Sequence, residues 1–273
     1  MKKPKIALTI AGTDPTGGAG VMADLKSFHA CGVYGMAAVT SIVAQNTKGV
    51  QHIHNLETQW LSEQLSSVFD DELPHAIKTG MIASKDMMKV IQEYLEAYPD
   101  IPYVIDPVML AKSGDSLMDD DAKKDLQNIL LPLATVATPN LPEAEEITGL
   151  TIDNEASIYK AGNIFINEIG SKGVVIKGGH AEDLDIAKDY LFTKENVYTF
   201  EDPRYETKHT HGTGCTFSAV ITAELAKGKS IFEAVKKAKA FISLSIKYTP
   251  EIGQGRGPVN HFAYMKKVGL DDE

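Results

Sequence analysis

Short apolar runs alternate with helix-period segments along nearly the whole chain, and that alternation limits the fold more than any other feature. Ile6-Ala7-Leu8-Thr9-Ile10 reads as a buried strand, followed by a glycine-rich turn and a helix over 19–30. Further strand-like runs lie at 39–43, 76–81, 103–106, 135–138 and 174–177, several of them ending in a polar residue or a turn. Between them Leu61, Leu65 and Val68 share one helical face, as do Ile158, Ala161, Phe165 and Ile169, and again Ile231, Val235, Ala238 and Ile242. Ser230 and Glu233 form a capping-box pair at the start of the last of these. Segment 188–200 alternates as a small antiparallel hairpin does. Strands separated by helices predict βαβ crossovers: an α/β fold with a mostly parallel central sheet and helices on both faces. In such sheets ligands bind beyond the carboxyl ends of the strands, where these polar residues fall. No repeat or Pro/Ser linker interrupts the pattern, so residues 1–273 are expected to form one domain.

Charge and cysteine content narrow the function classes. The formal net charge is −10, which argues against nucleic acid or an anionic membrane as partner. A nucleotide ligand would therefore need its phosphates neutralised locally, by amides, a lysine or a metal. Cys31 and Cys215 are the two cysteines; they lie far apart with no Cys-x-x-Cys or Cys/His ligand spacing, which speaks against a disulfide framework or a structural zinc site. The apolar stretch at 6–10 is too short for a signal core, and no apolar run approaches the roughly 20 residues of a membrane span. The cytoplasm is the expected compartment.

The strongest chemical signal is Thr210-His211-Gly212-Thr213-Gly214-Cys215-Thr216, which leads into a helix with Phe217, Val220, Ile221 and Leu225 on its inner face. Two glycines at a helix start let backbone N–H groups point outward, and the helix dipole adds positive potential: an anion hole for a phosphoryl group. Cys215 would sit at the helix mouth, where a thiolate is stabilised. The same segment also reads as a glycine turn with a small buried cysteine. A second glycine turn, 11–20, is neither a P-loop nor a dinucleotide fingerprint. Asn140 and Glu143, three apart after a strand, can face one site; Glu143 could hold hydrated Mg²⁺, or the pair could simply cap a helix. Asp106 and Lys177 each end a strand and suit metal and phosphate contacts respectively, while 111–115 looks like a polar lid. His52 and His54 read as surface positions, and of His209 and His211 only the second suggests a contact role. The aspartates at 119–121 read as a solvated first helical turn.

Taken in order, Ala11-Gly12-Thr13-Asp14, Ala44-Gln45-Asn46-Thr47, Lys78-Thr79-Gly80-Met81, Asp106-Pro107-Val108-Met109, Thr138 to Glu143, Lys177-Gly178-Gly179-His180 and His211 to Thr216 resemble the ribokinase-like vitamin kinases, most closely those acting on hydroxymethylpyrimidine and its monophosphate. The resemblance covers essentially the whole chain. It implies a ribokinase-like sheet with a small lid, ATP as co-substrate with Mg²⁺, and a homodimer. It implies that Asn140, Glu143, Lys177 and the Gly212-Thr213-Gly214 turn bind Mg-ATP, with Asp106 and Glu143 near the metal, partly through water. Cys215 would take the substrate hydroxyl's proton, which requires its thiol pKa to be lowered. Gly12, Asp24, Met81, Val108 and His211 would line the ring pocket, and Gln45 would read an aminopyrimidine through paired hydrogen bonds.

Related two-cysteine pyridoxal kinases carry a second cysteine where this chain has Ala111, and tend to lack the glutamine at 45; both departures favour the pyrimidine. Pyridoxine or pyridoxal phosphorylation is the near alternative, and a silent vitamin-precursor binding protein the alternative of another class. A nicotinamide oxidoreductase is disfavoured by the missing fingerprint.

Overall fold

The computed structural model describes residues 3–109, 120–178 and 185–267. The expected lid at 111–115, Asp119, Gly179, His180 and the acidic tail at 271–273 lie outside these residues.

In chain order the elements are β1 (Ile6–Ala11), α1 (Gly20–Ala30), β2 (Tyr34–Val39), β3 (Ser41–Asn46), β4 (Gly49–Asn55), α2 (Thr58–Phe69), β5 (Ala76–Thr79), α3 (Lys85–Ala97), β6 (Tyr103–Ile105), α4 (Asp120–Asp125), β7 (Val136–Ala137), α5 (Leu141–Thr148), α6 (Glu155–Asn163), β8 (Gly173–Ile176), β9 (Ile186–Thr193), β10 (Val197–Pro203), α7 (Thr213–Ala226), α8 (Ile231–Lys247) and α9 (Ala263–Lys267). Eight strands form one sheet in the order β10-β9-β8-β7-β6-β5-β1-β2. The six from β8 to β2 are parallel; β9 and β10 run antiparallel and close one edge. The hairpin expected at 188–200 is thus real but is no separate unit, because β9 pairs with β8 from Gly173↔Thr193 to Ile176↔Tyr190.

Alternation along each strand builds two cores. Leu8, Ile10, Ile77, Ile105, Val174 and Ile176 face α2, α3, α5 and α6; Ala7, Ala76, Val104, Val136 and Val175 face α1, α7 and α8. Both faces of the parallel strands are covered, which is why they read as continuous apolar runs. Helix α7 is buried on every side from Thr216 to Ala226 and packs on β1, β5 and β6, so its first turn sits at the carboxyl ends of the central strands. The Ser230–Glu233 capping box opens α8 as expected.

The run at 39–43 is where periodicity misled. Thr40 splits it: its amide donates to Ala11 O (3.0 Å) and its hydroxyl to Met81 O (2.8 Å), which ends β2. The chain then leaves the main sheet, and β3 pairs with β4 as a two-stranded antiparallel sheet, from Ser41↔Asn55 to Asn46↔Gly49. Val43 is buried while Ile42 is exposed, so this strand has one covered face rather than two. Among the described residues no helix is long and apolar enough to cross a membrane.

Candidate active site

Above the carboxyl ends of β1, β5, β6 and β7 lies a cavity of about 640 Å³, walled on one side by β3 and β4. Two glycine turns form its floor, and they are tied together. Asp14, fully buried, accepts from Thr16 N (2.9 Å), Thr16 Oγ1 (2.8 Å), Gly18 N (3.1 Å) and Ala19 N (2.8 Å), which sets the β1–α1 turn. Its Oδ2 also lies 2.7 Å from His211 Nε2, joining this turn to the one before α7. Burial alone would raise the Asp14 pKa, but the bonds from His211 and Thr16 outweigh it and hold the carboxyl below its usual range. At Gly212 φ is +76°, and a Cβ there would lie 1.6 Å from Gly18 O, so only glycine fits where the turns meet.

Gly212 is the N-cap of α7. The first helical hydrogen bond runs from Thr216 N to Gly212 O (2.9 Å), so the amides of Gly214 and Cys215 stand ahead of it at the cavity floor. Beside them Asp106 Oδ1 accepts from Thr138 Oγ1 (3.1 Å) and from Lys177 Nζ (3.2 Å). Asp106 Oδ2 is buried without a hydrogen-bond partner. A Cβ on Gly214 would lie 3.3 Å from that oxygen and 3.4 Å from Lys177 Nζ, so helix start, carboxylate and ammonium converge on one point. Burial works against the charge on Lys177, but Asp106 and Glu143 overcome it and hold its pKa above the ordinary value.

Asn140 and Glu143 do cap α5: Glu143 N donates to Asn140 Oδ1 (2.9 Å) and Asn140 N to Glu143 Oε2 (2.8 Å). They also line the cavity, so the capping and site readings are both met. Burial pushes the Glu143 carboxyl up to about 7; Lys177 opposes the shift and Asp106 adds to it. Among the described residues no cluster of three or more His, Cys, Asp or Glu forms a metal cage. The unpaired Asp106 oxygen with Glu143 nearby fits a hydrated Mg²⁺, which takes few carboxylates.

The remaining expected residues divide clearly. Gly12, Gln45, Met81, Val108, His211, Thr213 and Cys215 line the same cavity. Asp24 does not. It is fully buried, accepting from Thr9 Oγ1 (2.6 Å) and Lys78 Nζ (2.8 Å), and so cannot touch a ring in the cavity. Cys215 also departs from expectation: burial first, with Asp24 and Asp106 adding, pushes its thiol up to about 12, against the pull of Lys78 and of the Gly20 amide on the sulfur. Desolvation there exceeds what Lys78 and the Gly20 amide return. His52 and His54 are exposed on β4, and Cys31 and Cys215 are both free. Two residues were missed as site builders. Asp14 had a signal, an Asp-Pro within a glycine turn, and Lys78 had another, a lone charge inside an apolar strand.

Residues 14–260 match the family described as phosphomethylpyrimidine kinase. The chain belongs to the phosphomethylpyrimidine kinase family. It is 78% identical over 273 residues to a hydroxymethylpyrimidine/phosphomethylpyrimidine kinase of Staphylococcus aureus strain MSSA476, covering 100% of this chain and 99% of that one. Among solved structures, the phosphomethylpyrimidine kinase of Clostridium difficile 630 is similar at 42% identity and a TM-score of 0.78, over 89% of this chain and 99% of that one. The pyridoxal kinase of Staphylococcus aureus in complex with AMP-PCP and pyridoxal is similar at 37% identity and a TM-score of 0.88, over 96% and 95% of the two chains. The family and these neighbours agree with the ribokinase-like fold.

Proposed function

We propose that this chain, acting as one domain, transfers the γ-phosphoryl group of ATP to the hydroxyl of 4-amino-5-hydroxymethyl-2-methylpyrimidine, and then to the resulting monophosphate, in thiamine biosynthesis. The observation that carries this reading is the convergence of the α7 start, Lys177 and Asp106 beside Cys215 in one cavity. Cys215 takes the hydroxyl proton after losing its own, against the burial that pushes its thiol up to about 12; the oxygen bonds to the γ-phosphorus, and the bond from that phosphorus to the ADP oxygen breaks. The amides of Gly214 and Cys215 receive the charge on the transferring group, and Lys177 orients the phosphates. Asp106 and Glu143 would hold Mg²⁺, partly through water, and when bound the ion supplies charge neutralisation on the phosphates. Gln45 pairs with the aminopyrimidine edge, while Gly12, Met81 and Val108 pack against its ring.

The likeness to a pyridoxal-bound structure supports a second, weaker activity on vitamin B6. Incubation with Mg-ATP and, separately, the aminopyrimidine alcohol, its monophosphate and pyridoxine tests the order. Phosphate transfer to both pyrimidines is expected, and faster transfer to pyridoxine than to either would overturn the assignment. The reading includes a cytoplasmic homodimer, which fractionation of cells and light scattering of the purified protein test.

A further inference from the structure

Lys177 is anchored by more than the groups it meets in the cavity. Strand β8 ends at Ile176, and its ladder with β9 closes at Ile176↔Tyr190. Before the lysine side chain the backbone is still tied, because Lys177 N donates to Pro139 O (2.9 Å). After it the chain turns sharply: Gly178, a residue of the cavity wall, has a φ of +84°, which favours glycine. Beyond the ladder a side chain takes over, and Gly178 N donates to Asp189 Oδ1 (2.8 Å). Asp189 is itself fixed. Its Oδ2 accepts from Lys239 Nζ of α8 (2.7 Å), and the same ammonium donates to Ala187 O (2.7 Å). Both side chains are buried. Such a pair adds little net stability, because taking two charges out of water offsets their attraction, and apolar residues of like volume commonly do as well. What the pair supplies is direction. With Oδ2 held by Lys239, Oδ1 is turned onto the Gly178 amide, and a carboxylate receives a backbone N–H more strongly than a neutral group does. The line of contacts runs from α8 through β9 to the turn, and then through Lys177 Nζ to Asp106 Oδ1 (3.2 Å) at the cavity floor.

We propose that Asp189 is a positioning residue for Lys177: it clamps the turn that follows the lysine, and Lys239 holds the clamp in register, so that the ammonium keeps its place beside the start of α7. This role rests on Lys177 orienting the phosphates, as proposed above. A long side chain reaches its target repeatedly only when its root is fixed, and a misplacement of about 1 Å in a positioned group costs on the order of 10²-fold in rate. Pro139 O fixes that root on one side and Asp189 on the other.

Two double variants isolate the clamp. Asp189→Asn with Lys239→Met removes both charges but keeps a carbonyl oxygen for the Gly178 amide. Asp189→Leu with Lys239→Met removes the same charges with a side chain of the same shape, and keeps no acceptor. At saturating aminopyrimidine alcohol and varied Mg-ATP, the leucine pair should lose about tenfold in kcat/KM for ATP, whereas the asparagine pair should stay within about threefold of the parent. A merely structural ion pair predicts equal losses, since both variants lack it. Equal losses, or no loss in the leucine pair, overturn the proposal. The loss must also pass through the lysine. In a Lys177→Met background the leucine pair should cost less than about twofold more, and a loss that multiplies in full would place its effect elsewhere and overturn the proposal. If melting curves show that the leucine pair does not fold, Asp189→Ala with Lys239→Met takes its place under the same outcomes. Titration calorimetry with Mg-ATP reads the same difference without an acceptor, so a wrong acceptor leaves the clamp testable. Parental kinetics of Lys177→Met would sink the reading of Lys177 and the proposal with it, whereas equal losses in the two pairs leave that reading intact and remove Asp189 alone.

Discussion

Gly214→Ala separates stability from transfer more cleanly than any other substitution in this site. The added Cβ would stand 3.3 Å from Asp106 Oδ2 and 3.4 Å from Lys177 Nζ, contacts that require their neighbours to give by a few tenths of an ångström. It would therefore occupy the point where helix start, carboxylate and ammonium meet, which the proposed mechanism gives to a transferring phosphoryl oxygen. Loss of one oxyanion-hole donor costs about 2.7–4 kcal/mol, so turnover should fall about 10²–10³-fold. The same methyl group lies in the first turn of α7 at an ordinary helical φ, where alanine is favoured over glycine by up to about 1 kcal/mol. Thermal unfolding should thus change by a few degrees at most, in either direction. The assay is phosphate transfer to the aminopyrimidine alcohol under Mg-ATP, beside a melting curve of the same preparation. Turnover within about threefold of the parent, at unchanged stability, would refute the anion-hole geometry.

Cys215→Ala should lower turnover by about 10²–10⁴ with nucleotide affinity retained, as removal of a general base does; parental turnover would reduce Cys215 to packing. Lys177→Met should weaken ATP affinity or transfer by about tenfold or more, because it also strands the buried Asp106 carboxylate; titration calorimetry with ATP and turnover read the two effects. Gln45→Met should depress kcat/KM for the pyrimidine by about tenfold or more while leaving pyridoxine level or improved; equal losses on both would show that Gln45 only shapes the cavity. Burial, with Lys26 nearby, lowers the His261 pKa to about 4, so below its unfolded value near 6.5 the unfolded chain binds the extra proton. Stability should therefore be complete above about pH 6.5 and fall toward pH 4 by on the order of 3 kcal/mol from this group. Urea unfolding of His261→Gln should show a shallower loss across that window, and an unchanged slope would exclude His261 as the source.

The sheet was legible because its parallel strands are covered on both faces and therefore carry unbroken apolar runs such as 6–10 and 174–176. The β3–β4 hairpin was not: β3 has one covered face and β4 no buried residue, the apolar run at 39–43 straddles the end of β2 and the start of β3, and the chain turns away at Thr40 through hydrogen bonds that no local pattern announces. Helix α3 has a buried face of Met87, Met88, Ile91 and Leu95 at helical spacing, a signal the sequence carries in the segment after Met81. In the site, Gly214 stood out by its place at a helix start, whereas Gln45 came only from the family resemblance; both line the cavity. Asp24 was placed in the ring pocket by the family resemblance alone, and the buried Lys78 of β5 draws it inward instead.

The acidic balance of the chain required any phosphate to be neutralised locally, and the structure shows which groups are equipped to do it. Lys177 cannot supply a whole positive charge to a ligand, since Asp106 already holds it at 3.2 Å and Glu143 adds to the negative side. Taken by themselves these three side chains are close to neutral or negative as Glu143 ionises near pH 7. The uncompensated positive potential at the cavity floor therefore comes from backbone: the amides of Gly214 and Cys215 and the dipole of the buried helix α7 behind them. Backbone amides can serve in this way only if no side chain stands in front of them. The tight meeting of Gly212 with Gly18, the bare Gly214, and the Asp14 network that fixes both turns consequently belong to one requirement, and a methyl group at 214 should matter more to transfer than a lost lysine charge.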